Sequence, residues 1–207
     1  MNKTLIASLI AMAAMPSFAN ANNQNVSFKL GTAKHSVDGK KITDSQPVAI
    51  GVDYTNYIFP LNSYLDLGFS AGANVAIAYD SKYHRYPVTS TMSVGVSQSI
   101  RTDYVTGYFA PVISFKPNDI IDIYARVGAS VNYFAMTLEQ TTSSYLYSKD
   151  RTDTTSDTTA GLYYGGGINF SLGRKVFAGL EYVANKYDVK DEKLNSEMYY
   201  AKFGFRY

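Results

Sequence analysis

Two histidines, His35 and His84, are all the imidazole in the chain, and there is no cysteine. A three-histidine zinc site and thiolate chemistry are therefore excluded. What remains for nucleophilic chemistry is a hydroxyl beside a carboxylate and a histidine. His35 stands at the end of one alternating segment and Asp80-Ser81 at the end of another. Brought to one rim, such a set would suit acyl transfer or deacylation of a lipid. His35 is followed directly by Ser36, so a His-x-Ser deacylase pattern is absent. We read His35 as an exposed rim residue, and expect no catalytic residue, no metal ligand and no cofactor.

Charge offers a second kind of chemistry. Lys82-Tyr83-His84-Arg85-Tyr86 interleaves cations with aromatics, and Tyr145, Tyr147, Lys149 and Arg151 form a second group. Both fall in long polar connections. Aromatics set among cations suit a sulfated glycan or a host surface protein, and the same cations suit the phosphates of lipopolysaccharide. A third group, Lys29, Asp53, Asp66, Asp122, Arg126, Glu181, Lys202 and Arg206, falls on the polar face of alternating segments. Four are positive and four negative, as an internal salt-bridge network requires, because an unpaired buried charge is costly. A member near a rim would instead be solvated.

The elements that position these groups are strands. Val48, Ile50, Val52 and Tyr54 alternate with Ala49, Gly51, Asp53 and Thr55, and the same period runs through 65–77 and 121–133. Period-two alternation over such lengths predicts strands with one apolar and one polar face. Eight are expected: 25–35, 46–58, 63–79, 103–115, 120–136, 157–171, 175–189 and 196–207. Three connections, 59–62, 116–119 and 172–174, carry the Pro, Asn, Asp and Gly of tight turns. The others, 36–45, 80–102, 137–156 and 190–195, are polar and mostly longer. Short turns and long loops alternate as in an outer-membrane barrel. The segment 89–98 also alternates. Counting it as a separate span gives nine, against the even-number rule, so we assign it to the second large loop as an extension above the membrane. The alternative is a ten-stranded barrel.

The start reads as a secretory signal. Lys3 precedes the apolar run Leu5 to Met15, and cleavage is expected after Ala19 or Ala21. The mature barrel would then cover 22–207. No cysteine follows the run, so no lipoprotein anchor is expected. Nineteen Lys and Arg against seventeen Asp and Glu leave no basic stripe for nucleic acid. Nineteen Tyr and eleven Phe without Trp suit an interface that is wet at one end and apolar at the other.

A soluble sandwich also alternates, and the character of the two faces separates the cases. A soluble barrel fills its interior with large apolar side chains. Here the polar face is the narrow one: we place Gly51, Gly68, Gly72, Gly107, Gly128, Gly161, Gly165, Gly167, Gly179 and Gly204 on it. The apolar face is broad and aromatic, as lipid contact requires. Phe59, Phe115, Phe170, Phe205 and Tyr207 make one expected belt near the short turns. Tyr79, Tyr104, Tyr133, Tyr182 and Tyr199 make another near the long loops. The fold class is therefore all-β: an eight-stranded antiparallel transmembrane β-barrel, closed, with a side-chain-filled lumen and no open pore.

The stretches Ala110-Pro111-Val112-Ile113-Ser114-Phe115 with 121–128, Gly161-Leu162-Tyr163-Tyr164-Gly165-Gly166-Gly167-Ile168, and Val176-Phe177-Ala178-Gly179-Leu180-Glu181-Tyr182 with Phe203-Gly204-Phe205-Arg206-Tyr207 resemble the small outer-membrane barrels of the OmpX, Ail and OmpA-transmembrane-domain type. Tyr207 stands where that family usually closes on Phe. The resemblance implies an outer-membrane location, outer-membrane lipid and lipopolysaccharide as surroundings, and the barrel-assembly machinery as a partner during biogenesis. It also implies a surface role in adhesion, colonisation or serum resistance, or a structural envelope role. The set His35, Asp80 and Ser81 loosely resembles that of palmitoyltransferase barrels, without their neighbouring motif. A lipid A-modifying barrel and a small porin are the other readings. We expect a monomer that binds no nucleic acid.

Overall fold

In the structure, a computed structural model, residues 24–42, 45–87, 93–144, 147–189 and 192–207 are described. The signal segment and Tyr145 lie outside them. Among the described residues eight long strands close one antiparallel ring: β1 Gln24–Val37, β2 Val48–Pro60, β3 Leu65–Pro87, β4 Ser93–Phe115, β5 Ile121–Ser144, β6 Tyr147–Ser171, β7 Val176–Val189 and β8 Glu192–Arg206. Each pairs with the next in sequence, and β1 pairs with β8 from Asn25–Arg206 to Val37–Leu194. The ring is closed and has no free edge at membrane depth, so its backbone hydrogen bonds are made internally. Among the described residues there is no helix.

The turns follow from their residues. Asn62 Oδ1 accepts from the amides of Tyr64 and Leu65, and Asn118 Oδ1 accepts from those of Ile120 and Ile121. These are Asx turns, in which the side chain supplies the bond that bends the chain. At the other end β1 doubles back through Asp38 and Gly39, at φ 47° and 78°, onto the short strand Lys40–Lys41. Two successive positive φ values are those of a type I′ hairpin, which an Asp-Gly pair favours.

The inside and outside of the ring reverse the distribution of a soluble protein. Lys29, Asp53, Asp122, Arg126, Glu181 and Lys202 are buried, while Phe28, Leu30, Ile50, Phe109, Val131 and Leu180 are more than half exposed. Large apolar side chains that face outward from a closed sheet need lipid to cover them.

Three expectations are corrected. The second and third long connections, 80–102 and 137–156, are extended hairpins where mainly loop was expected. β3 and β4 run on in register to Pro87–Ser93, and β5 and β6 to Ser144–Tyr147. Since β4 also pairs with β5 up to Gly95–Ser143, β3 to β6 rise beyond the barrel as one four-stranded sheet. The strand extension above the membrane expected for 89–98 is found in its described part, which belongs to β4, and the remainder lies outside the described residues. Tyr104 is fully buried in the lumen instead of in a lipid belt, and Gly107 points outward into open space. On β4 it is the even-numbered residues that face in. Thr, Tyr and Gly suit either side there, so alternation did not fix the phase. His35 is not a rim residue: it is buried inside the ring, its ring centroid 5.1 Å from that of Tyr104.

Candidate functional site

The lumen is filled in layers. Of the eight inward charges expected, five meet. Glu181 Oε1 takes Lys29 Nζ at 3.0 Å and Arg126 Nη2 at 2.5 Å, and its Oε2 accepts from Tyr124 at 2.5 Å. Asp53 takes Lys29 at 2.9 Å and Arg126 at 3.4 Å, and Tyr108 donates to it. Lys202 is held less closely, at 3.4 Å from Glu181 and 3.7 Å from Asp53, with its other contact at the Tyr124 hydroxyl, 3.1 Å away. Three cations thus face two carboxylates, and aromatic faces take part of the excess. Arg126 lies 4.9 Å from the Tyr108 centroid, and Lys202 lies 4.5 Å from that of Tyr124.

The other three charges stand apart. Asp122 is buried against Ser114 and Asn169, Asp66 pairs with Lys116 at 2.5 Å, and Arg206 donates to Ser171 at 2.7 Å. Lys116 was missed because it sits in a turn, where parity gives no guidance. The tyrosines of the network were missed because a tyrosine suits a lumen and a lipid interface equally.

Toward the long hairpins an uncharged layer follows. Asn185 Nδ2 reaches Asn132 Oδ1 at 2.6 Å, Tyr104 Oη at 2.7 Å and Thr106 Oγ1 at 3.1 Å, and Ser130 donates to Asn185 Oδ1 at 2.8 Å. Above it Ala33, Phe134, Leu194 and Met198 are packed together, with Val37, Ile42 and Met136 against them.

His35 sits in this layer on the inward face, directly across from Ser196. Ser81 stands exposed on the outward face of β3, which β2 separates from β1. The histidine and the serine that acyl transfer would need therefore lie on opposite sides of the sheet wall.

The protruding sheet brings Lys82, His84, Lys149 and Arg151 onto one face, while Tyr83 and Arg85 take the alternate register positions of the other. Register places Lys82, Gln98, Gln140 and Arg151 in one cross-strand row, and His84, Val96, Thr142 and Lys149 in the next row out. Both rows continue the lumen-facing side of their strands. The row nearer the membrane carries Asp80, Ile100, Leu138 and Asp153. Lys82 and Arg151 stand on the two edge strands, about 14 Å apart at three strand spacings. Arg151 pairs with Asp153 at 2.9 Å in an exposed contact of small worth. Arg85 and Tyr86 lie on β3 and Tyr147 on β6, within the same sheet.

The outward face of this sheet has another character. Its rows are Tyr79–Arg101–Thr137–Thr154, Ser81–Ser99–Glu139–Thr152, Tyr83–Ser97–Thr141–Asp150 and, farthest out, Arg85–Gly95–Ser143–Ser148.

A closed ring with a lipid-facing exterior and a packed lumen defines an integral outer-membrane barrel. The chain matches the model of the outer membrane protein beta-barrel domain over residues 4–207, and it belongs to that family. Its place is the bacterial outer membrane. Among solved structures it is similar to Neisserial surface protein A, with 14% identity over 91% of this chain and 100% of that one and a TM-score of 0.54. Ail, the attachment invasion locus protein of Yersinia pestis, shares 16% identity over 90% of this chain and 100% of that one, at a TM-score of 0.48. OprG from Pseudomonas aeruginosa shares 10% over 91% and 98%, at 0.43. No curated protein matches the sequence.

Proposed function

We propose that the protein is a surface-interaction barrel: the ring anchors a sheet outside the membrane, and the inner face of that sheet takes an anionic ligand. The reading rests on the two cross-strand rows that set Lys82 and His84 on one edge strand opposite Arg151 and Lys149 on the other. Gln98 and Gln140 lie between the edge cations and offer amide donors and acceptors. Cations at two edges with neutral hydrogen-bonding groups between them suit an extended polyanion laid across the strands, and we take a sulfated host glycan as its chemistry. Adhesion or colonisation would follow from that contact.

The test is heparin affinity of the purified, folded barrel, measured over a range of salt. Lys82→Ala, His84→Ala, Lys149→Ala and Arg151→Ala combined should weaken binding tenfold or more, and the wild-type affinity should fall steeply as salt rises. The exposed positions should leave the barrel as stable as before, within about 0.5 kcal/mol. Heparin binding that survives all four substitutions would remove this reading and leave a structural envelope role.

A further inference from the structure

The sheet of β3 to β6 leaves the ring with two open edges. The β2–β3 ladder ends at Val48–Ile77, and the β6–β7 ladder ends at Gly161–Tyr187. Among the described residues no strand pairs with the outer side of β3 over 78–87 or with that of β6 over 147–160. A row of unpaired amides and carbonyls on a strand edge is a template for another strand. The two edges suit each other. β3 runs away from the short turns and β6 runs back toward them. In one membrane, β3 of one copy therefore meets β6 of a neighbour antiparallel. Like edges would run parallel, which is the slightly weaker ladder. Charge agrees with direction: 79–87 carries Lys82 and Arg85 against Asp80, while 152–160 carries Asp153 and Asp157 and no cation.

Height narrows the register. Following cross-strand partners once round the ring takes Val26 to Ser36, a stagger of ten residues over eight strands. From β3 to β6 the stagger is about four residues, so Arg151 stands above Lys82 and Thr155 stands level with it. A neighbour at the same depth would thus bring Thr155 to Lys82, which sets Asp80 against Asp157, a repulsive pair. A slide of two residues, about 7 Å, sets Lys82 against Asp157 instead. It keeps inner face beside inner face, leaves no like-charged pair, and joins the edges from Tyr79–Ala160, where their rings release them. The opposite slide sets His84 against Arg151 and leaves 157–160 unpaired. We propose that neighbouring copies join edge to edge, β3 of one beside β6 of the next with Lys82 opposite Asp157. The sequence suggests a monomer, but this head-to-tail contact extends into rows or rings. Their inner faces form one surface, with Lys149 and Arg151 outside the paired stretch.

The chain has no cysteine, so introduced ones report the pairing. Two differently tagged copies, one with His84→Cys and one with Thr155→Cys, are produced together in one outer membrane and oxidised with copper phenanthroline. The register sets these two positions opposite each other. At equal amounts of heat-modifiable barrel, the mixed dimer should exceed either like dimer at least tenfold. Asp157→Lys in the Thr155→Cys copy should lower the mixed dimer at least fivefold. Lys82→Asp added to the His84→Cys copy should restore it. A mixed dimer no more abundant than the like dimers would mean random collision and overturn the proposal. A yield that the charge swap leaves unmoved would overturn it as well. So would the absence of any crosslink, which would make the edge charges a guard against pairing.

Discussion

Glu181→Gln should be the most damaging single substitution in the barrel wall, and Lys202→Met one of the mildest among the buried charges. Glu181 receives Lys29, Arg126 and Tyr124 directly and Lys202 at longer range. Its neutralisation leaves three buried cations against the single carboxylate of Asp53. Breaking a buried ionic network by removing one partner costs about 3–5 kcal/mol, because the charges left behind are uncompensated. Removing Lys202 has the opposite sense: two cations then face two carboxylates, and the methionine stem keeps the packing on Tyr124 and Phe177. Urea unfolding in detergent, read by the heat-modifiable gel shift, should place Glu181→Gln at least 3 kcal/mol below wild type and Lys202→Met within about 1 kcal/mol. A similar loss in both would mean that the excess positive charge is neutralised in some other way.

The second large effect lies on the outside of the wall. Leu180 is 61% exposed and faces outward beside Glu181, at the middle of the series Val176, Ala178, Leu180, Tyr182, Ala184. On a soluble protein an exposed leucine changed to lysine would alter stability by no more than about 0.5 kcal/mol. At the midplane of a barrel the same change costs about 2–4 kcal/mol, falling toward the interfaces. Leu180→Lys should therefore destabilise the barrel in lipid vesicles by about 2–4 kcal/mol. Ser81→Lys, on the outward face above the lipid, should change almost nothing. Equal effects at the two positions would place the lipid boundary elsewhere on the wall.

The ring itself was legible because lipid imposes a rule on sequence. On 48–55, 65–77 and 121–133 one face must be apolar and the other must fill a narrow lumen, so alternation fixes both the strand and its phase. Above the membrane both faces meet water and that contrast vanishes. Thr152-Asp153-Thr154-Thr155-Ser156 reads as a loop although it is β6, because the threonines that favour a strand also occur in connections. The Asp38-Gly39 hairpin carried a usable signal in its turn residues, hidden by the polarity around it. The inward charges were readable as a set but not as a network: parity cannot give height along the barrel, and height separates Asp66 and Arg206 from the five that meet. For the candidate surface, the cations of the two hairpins were visible one by one. What put Lys82 and Arg151 in one row was the register of β3 to β6, which depends on pairings between residues far apart in the chain.

The most direct measurement is the adhesion of cells displaying the protein to a heparin-coated surface, with charge reversals placed on one face of the sheet at a time. Lys82→Glu with Arg151→Glu reverses both edges of the inner row. Ser97→Glu with Thr152→Glu adds the same number of carboxylates to the outward face. With equal amounts of heat-modifiable barrel in the outer membrane, the inner-face pair should lower adhesion at least tenfold and the outward pair less than twofold. Equal losses from the two pairs, or adhesion unchanged by the inner pair, would contradict the assignment of the inner face as the interaction surface.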